Sequence, residues 1–276
     1  MLSKFYLTGD CHGVFTRFHN LPTTENIGVI ILGDFSINFY LNKTDYKKKK
    51  ELSANYPNIT FYCVRGNHEA RPQDIPGMTK QFDENVHGVV YLEPEFPNIR
   101  YFLDYGFYDI NGYTCYVIGG AYSVDKYWRL ERAMMTEENN NPKKSGWFAN
   151  EQLTKEEMNR ASEQLYRFKD MGKHIDFIFA HTCPYDWEPR DMFLGSVNQS
   201  TVDDSMERWM NSWKDNIHFD VFCFGHFHAD RIERPGVEQY YHNMEELDTI
   251  YNRWEKYKTN KELPWHLVKG PAFYDN

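Results

Sequence analysis

The sequence of 276 residues has no long hydrophobic run, no excess of basic residues and no cysteines at short paired spacing. A membrane-spanning helix needs about 20 consecutive apolar residues, and no stretch of the chain approaches that length. The first apolar run ends at Gly9 and Asp10, too early for a secretory signal segment. These absences predict a soluble, cytoplasmic protein with no membrane partner.

Basic charge is scarce. The chain has 31 Lys and Arg against 40 Asp and Glu, which gives a formal net charge of -9. A protein that binds nucleic acid over a broad surface presents a basic face, so this balance argues against nucleic acid as a broad binding partner. The basic run Lys47 to Lys50 lies between Asp45 and Glu51, and we interpret it as a solvated helix face.

The cysteines are few and isolated, at positions 11, 63, 115, 183 and 223. Such a pattern fits neither a disulfide framework nor a structural zinc site. Several cysteines lie in or beside apolar runs, which predicts buried, reduced thiols. Apolar and charged fractions of 41% and 26% are typical of globular proteins.

Short apolar runs alternate with helical patterns along much of the chain, which predicts parallel β-sheets. Five predicted strands precede polar turns, at residues 5–8, 29–32, 59–64, 175–180 and 219–224. Helices are predicted at 14–26, 45–55, 124–135, 153–171, 203–213 and around 244–257, and residues 139–145 are predicted as a loop.

The central region has a different pattern. Prolines at 72, 76, 94 and 97 argue against helix, and residues 88–92 and 99–103 have the pattern of short strands. Asn111-Gly112 between two β-rich runs is a strong hairpin signal. We therefore predict an antiparallel central region in a second sheet that faces the first. We expect one domain over residues 1–276, with 232–276 as a carboxyl-terminal extension whose role the sequence does not assign.

Each of the five strands that precede polar turns ends in side chains that bind metals well. These are Asp10 and His12, Asp34, Asn67, His181, and His226 with His228. If the strands point the same way, the seven side chains converge at one edge. Carboxylate, imidazole and amide oxygen together suit Mn, Fe or Zn better than calcium alone. Seven ligands are too many for one ion. The number agrees with two ions that share one bridging carboxylate.

Five motifs, taken in this order, resemble the calcineurin-like metallophosphoesterase superfamily. They are Gly9-Asp10-Cys11-His12-Gly13, Gly33-Asp34, Gly66-Asn67-His68-Glu69, His181, and Gly225-His226-Phe227-His228. The resemblance implies an α/β (α+β) fold, a four-layer α-β-β-α sandwich of two mixed β-sheets flanked by helices. It also implies a two-metal site at the carboxyl ends of the strands.

Carried over position by position, the resemblance assigns three ligands to each ion. Asp10, His12 and His228 bind the first, Asn67, His181 and His226 bind the second, and Asp34 bridges them. His68 corresponds to the residue that protonates the leaving oxygen. The implied activity is a dinuclear metal-dependent phosphoric-ester hydrolase, in which hydroxide held between the ions attacks phosphorus in line.

The loop over residues 64–71 resembles the protein-phosphatase branch in particular. Arg65 is the predicted phosphate-binding arginine and Arg71 the next candidate, with a structural salt bridge as the open alternative for Arg71. One departure affects the mechanism. The carboxylate expected to orient the catalytic imidazole falls near Ile37, which cannot serve, so either His68 takes another partner or the protonation step is tuned differently. The stretch from Gly119 to Ser123, with Asp125, Lys126 and Arg129, resembles one that is common in other members of the superfamily. The charged residues are interpreted as helix-surface charge, with a border of the substrate site as the alternative for the stretch.

The leading prediction is a phosphomonoesterase with two divalent metal ions, Mn preferred and Fe or Zn as alternatives, whose partner is a phosphoester substrate. The first alternative is a phosphodiesterase that acts on cyclic nucleotides, dinucleotides or nucleic-acid ends. A non-catalytic interaction scaffold on the same fold is the remote alternative.

Overall fold

The structure is a computed structural model that describes residues 2–138 and 145–260. The helices in this part are α1 (Lys43–Asn55), α2 (Lys126–Glu138), α3 (Lys155–Asp170), α4 (Ser205–Trp213) and α5 (Leu247–Asn260). The strands are β1 (Phe5–Thr8), β2 (Ile27–Ile31), β3 (Ile59–Cys63), β4 (Thr79–Asp83), β5 (Gly88–Leu92), β6 (Ile99–Phe102), β7 (Tyr105–Ile110), β8 (Tyr113–Ile118), β9 (Ile175–Ala180), β10 (Phe219–Phe224), β11 (Arg231–Arg234), β12 (Val237–Gln239) and β13 (Met244–Glu246).

The strands of this part form two mixed sheets. The first has the order β13-β1-β2-β3-β6-β5-β4. In it β1, β2, β3 and β6 are parallel, while β13, β5 and β4 pair antiparallel at the two ends. The second has the order β11-β12-β10-β9-β8-β7, with β8, β9, β10 and β12 parallel and one antiparallel strand at each edge. All five predicted strands that precede polar turns are present, and each lies within the parallel part of its sheet.

The core has three apolar layers, which follow from the alternation of side chains along each strand. Leu7 and Tyr62 of the first sheet pack against Phe177 and Val221 of the second, between the sheets. The opposite face of the first sheet packs on Leu52 of α1. The opposite face of the second packs on the helix residues Met158, Leu165, Met206 and Trp213. The predicted four-layer α-β-β-α sandwich is therefore confirmed.

Three predictions about local structure were wrong. Residues 14–26 contain only a short 3-10 helix, Thr16–Asn20. The irregular backbone of this segment is held by buried Phe18 and by the Arg17 guanidinium, which donates to the carbonyls of Gly9, Asp10 and Tyr241. Residues 244–246 are strand rather than helix, because they pair with the free edge of β1. Strands β5 and β6 belong to the first sheet, since β6 pairs parallel with β3.

Residues after 231 contribute to both sheets. Strands β11 and β12 extend the second sheet, β13 borders the first, and Leu247 and Ile250 of α5 enter the core between the sheets. Residues 139–144 of the predicted loop and residues 261–276 lie outside the described part of the chain. The expectation of one domain over residues 1–276 therefore stays a prediction.

Candidate metal centre

The seven predicted ligands meet where strands of both sheets end. Asp10, Asp34 and Asn67 follow β1, β2 and β3 of the first sheet, and His181 and His226 follow β9 and β10 of the second. His228 lies two residues beyond His226. Because these five strands lie in the parallel parts of facing sheets, their carboxyl ends share one edge of the sandwich.

Three side chains form a first group. The Nε2 atoms of His12 and His228 lie 2.9 Å apart, and Asp10 Oδ2 lies 3.2 Å from His228 Nε2 and 3.8 Å from His12 Nε2. Asp10 Oδ2 is buried and has no hydrogen-bond partner among the described residues. A buried carboxylate oxygen without a partner is costly, and a cation held between these three groups would satisfy it.

A second group surrounds the side-chain oxygen of Asn67. Asn67 Oδ1 lies 2.8 Å from His181 Nε2 and 3.1 Å from His226 Nδ1. Asp34 Oδ1 lies 3.7 Å from His181 Nε2. Ligand atoms of Asp10, Asp34 and His181 lie within 4.8 Å of one another, so the two groups are adjacent, and the bridging role of Asp34 stays a prediction.

Two hydrogen-bonded supports orient these ligands. His181 Nδ1 lies 2.6 Å from the carbonyl oxygen of Leu32 and donates to it, which leaves the lone pair on Nε2 facing Asn67. Asn67 Nδ2 donates to Ser123 Oγ at 2.9 Å, and Ser123 Oγ donates to Glu151 Oε2 at 2.6 Å. This chain fixes the amide with its oxygen toward the two histidines.

Sequence reasoning missed Ser123 and Glu151 as supports of the site. Ser123 follows β8, which carries no predicted ligand, and Glu151 lies in an irregular segment before α3. The sequence signal was the stretch from Gly119 to Ser123, which was interpreted as a border of the substrate site and not as a support of the ligands.

Four of the seven ligands have left-handed backbone conformations, with φ of 47° at His12, 48° at Asp34, 68° at His226 and 52° at His228. A left-handed residue other than glycine costs on the order of 1–3 kcal/mol, and such residues concentrate at functional sites.

Two glycines permit the close packing of the ligand turns. A Cβ at Gly33 would overlap the imidazole of His181, and a Cβ at Gly66 would overlap Asp34. Gly33 also has a φ of 98°, which other residues rarely adopt. Glycine before Asp34 and before Asn67 is therefore a steric requirement of the site.

The protonation states largely fit metal binding, which requires ionised carboxylates and neutral imidazoles. Burial raises the pKa of Asp34, but the nearby imidazoles of His68 and His181 outweigh it and leave the pKa below its usual value. Burial, with the nearby His181, lowers the pKa of His226 to about 3. Burial also lowers the pKa of His12. His228 differs, because Asp10 raises its pKa despite burial.

His68 lies beside the ligands and faces the same cavity. Its backbone N donates to Asp34 Oδ1 at 2.9 Å, and its Nε2 lies 4.0 Å from Asp34 Oδ2. Its Nδ1 is buried without a hydrogen-bond partner in the described chain. Ile37 is fully buried in the apolar core under α1, so position 37 provides no orienting carboxylate.

The proposed phosphate contact of Arg65 does not fit the structure. Its guanidinium is buried, donates from Nε to Asp104 Oδ1 at 2.6 Å, and donates from NH1 to the Glu151 carbonyl at 2.6 Å. Arg71 is buried as well, with Asp104 at 3.0 Å and Glu157 at 2.6 Å from NH1. The salt-bridge alternative describes Arg71, and Arg65 belongs to the same ion-pair network.

Comparisons with known proteins agree with this geometry. Residues 3–230 match the family of calcineurin-like phosphoesterases, and the chain belongs to that family. It is thus a metal-dependent phosphoesterase, and the family implies a dinuclear divalent metal centre, for which the residues described above are candidate ligands.

One similar solved structure is the phosphopantetheinyl hydrolase PptH from Mycobacterium tuberculosis. It is 11% identical, with a TM-score of 0.42 over 95% of this chain and 94% of that chain. No curated protein sequence matches the chain. Within residues 2–138 and 145–260, no helix combines the length and hydrophobicity needed to cross a bilayer.

Loss of either central ligand should remove metal. We expect Asp34→Asn and His181→Ala to release bound divalent metal on dialysis and to lose phosphoesterase activity together. The matched controls Asp170→Asn and His218→Ala change exposed residues and should keep both. Elemental analysis of each dialysed variant gives the measurement. Retention of full metal content by both ligand variants would contradict the assignment.

Replacement of Arg71 should affect stability more than substrate binding. Arg71→Ala removes the arginine partner of Glu157 and one of the two arginines that pair with Asp104, which costs up to about 3–5 kcal/mol in free energy of unfolding. Urea unfolding provides the measurement, with exposed Arg160→Ala as the control. A large rise in KM with unchanged stability would instead restore a substrate contact.

Proposed function

We propose that the chain is a phosphomonoesterase with a manganese pair bound by Asp10, His12, Asp34, Asn67, His181, His226 and His228. The observation that carries the proposal is the convergence of these side chains, five of which line a cavity of about 860 Å³, namely His12, Asp34, Asn67, His226 and His228. The mixture of carboxylate, imidazole and amide oxygen favours Mn among the alternatives. When bound, two divalent ions supply Lewis-acid stabilisation of the phosphoryl oxygens and a nucleophile at neutral pH.

The shape of the cavity supports a monoester. The ligand residues share the cavity with an apolar wall contributed by residues 192–202. This wall offers a place for one organic group beside the metal site. A monoester has one such group, whereas a diester has two.

His68 is the proposed general acid. Its Nε2 lies 3.3 Å from Asn67 Nδ2 and near Asp34, so it faces the ligands where a leaving oxygen would lie. Burial lowers the pKa of His68, and the charge of Asp34 opposes that effect. A bound phosphate dianion would favour the protonated imidazole further.

Asp125 is the proposed replacement for the carboxylate that position 37 lacks. It lies just before α2 and lines the same cavity as His68. Its Oδ2 accepts from Arg129 Nε at 2.6 Å, whereas its Oδ1 is buried and finds no partner in the described residues. The Arg129 guanidinium lies 5.5 Å from the centroid of Phe39, whose ring lies 6.1 Å from that of His68. Burial leaves the pKa of His68 below its usual value; Arg129 lowers this pKa and Asp125 raises it by less, so both members of the ion pair lie within electrostatic reach of the imidazole.

A comparison of two chromogenic esters tests the proposed function. After reconstitution with Mn, we expect a higher kcat/KM for p-nitrophenyl phosphate than for bis-p-nitrophenyl phosphate. The Asp34→Asn variant, prepared in parallel, measures contaminating activity. Much faster hydrolysis of the diester would establish the phosphodiesterase alternative.

The roles of His68 and Asp125 are tested by a series of esters with increasingly poor leaving groups. His68→Asn should keep metal and lose about 10²- to 10⁴-fold in kcat, mainly for poor leaving groups. Asp125→Asn should show the same dependence with a smaller loss, up to about 100-fold, since it acts through orientation. Asp170→Asn is the control. Equal losses for activated and unactivated esters would exclude both roles.

A further inference from the structure

The metal site occupies only part of the cavity. Another part is lined by apolar side chains from the segment between β9 and α4, among them Met192, Phe193, Leu194 and Val202. Hydrolysis at the metal site does not require this surface. An apolar wall in continuity with a reaction site binds the organic part of a substrate.

A carboxyl group without a full set of partners also lines this cavity. Glu207 of α4 is 5% exposed. Its Oε1 accepts from Thr182 Oγ1 at 2.8 Å, but its Oε2 is buried with no hydrogen-bond partner in residues 2–138 and 145–260. A buried polar atom of this kind is costly unless a ligand satisfies it.

Besides Asp34 and Asp125, two further carboxylates line the cavity, and each of these two has an arginine partner. Glu188 Oε2 lies 3.4 Å from Arg190 Nε, and Asp204 Oδ1 lies 2.8 Å from Arg208 Nε. Among the residues that the structure describes, none forms an ion pair with Glu207. The local charge therefore favours a cationic group opposite Glu207 over an anionic one.

We propose that Glu207 and the apolar wall form a leaving-group subsite, which selects phosphoesters whose alcohol has an apolar body and ends in an ammonium group. The inference rests on the proposed function, since it assumes hydrolysis at the neighbouring metal site. The apolar body lies against Met192, Phe193 and Leu194, and the ammonium donates to Glu207 Oε2.

The ionisation of Glu207 is compatible with this ligand. Burial raises the pKa of Glu207 to about 8, and the nearby carboxylates Glu188 and Asp204 contribute to the rise. An adjacent ammonium favours the ionised carboxylate. Binding of an ammonium ester therefore releases a proton from Glu207.

Paired synthetic phosphate monoesters test the subsite. Linear alkanol phosphates of graded length are compared with chains of equal length that end in an ammonium group, and also with amide-terminated chains. On the Mn-reconstituted enzyme, we expect at least about a tenfold higher kcat/KM for the ammonium ester at the best length.

The variant Glu207→Gln retains the size of the side chain and an oxygen that accepts from Thr182. It should abolish the preference for ammonium through a rise in KM for the ammonium-terminated ester. The control Glu163→Gln makes the same substitution at an exposed position of α3 and should keep the preference. Met192→Ala should weaken the dependence on chain length in both series.

Direct binding separates the two proposals and covers the case in which Glu207→Gln does not fold. Calorimetry with the free amino alcohol as the probe should show binding to the wild-type enzyme. The methyl-terminated alcohol of equal length should bind more weakly. Amino alcohol binding without hydrolysis of any ester would overturn the proposed function and retain the subsite. Two results would overturn the subsite. One is hydrolysis of the ammonium-terminated and methyl-terminated esters with equal kcat/KM. The other is a preference for the amide-terminated ester that the Glu207→Gln variant retains.

Discussion

The packing of the two sheets against each other is the constraint on which the candidate site depends. Neither sheet carries all seven ligands. The Nδ1 atom of His181, from the second sheet, lies 2.6 Å from the Leu32 carbonyl of the first, and the backbone N of His226 donates to Asp10 Oδ1 at 3.0 Å. These bonds across the sheets form only when the apolar layer between the sheets is closed. Formation of the core and formation of the ligand geometry are therefore parts of one event.

The buried arginines show that side chains of the expected type and spacing can have a structural role in the fold. Arg65 and Arg71 have the residue type and spacing expected of phosphate-binding side chains. In the fold, Asp104 after β6 lies between them and pairs with both. The network anchors the loop that carries Asn67 to the segment before α3, where Glu151 supports Ser123. Arg65 and Arg71 therefore contribute to the site by holding the loop that carries Asn67 in place.

The parts of the fold that followed from sequence are those that local patterns determine. Apolar runs that end at glycine and a polar residue predicted each strand that leads to a ligand, because burial on both faces leaves few alternatives for such runs. The 3-10 helix at Thr16–Asn20 and strand β13 were missed because remote partners determine them. Arg17 bonds to the carbonyl of Tyr241, and β13 pairs with β1.

The same distinction applies to the site. The ligands are marked by their position at strand ends, whereas Ser123, Glu151 and Glu207 acquire their roles only through contacts across the fold. Asp125 is intermediate. The sequence indicated that its segment could border the substrate site, but its position relative to His68 depends on the placement of α2. The missing carboxylate at Ile37 was visible in the sequence, whereas the proposal of Asp125 as its replacement needed the structure.

The left-handed conformations of His12, Asp34, His226 and His228 bear on which substitutions these positions tolerate. Glycine would relieve the backbone strain but provides no ligand atom, and glutamate or cysteine would provide one while the strain remained. Asp, Asn and His are enriched in this conformation among residues other than glycine, and all three can bind metals. Two independent requirements thus restrict each position to the same few amino acids. We therefore expect few amino-acid substitutions at these four positions, even where a neighbouring side chain could serve as the ligand instead.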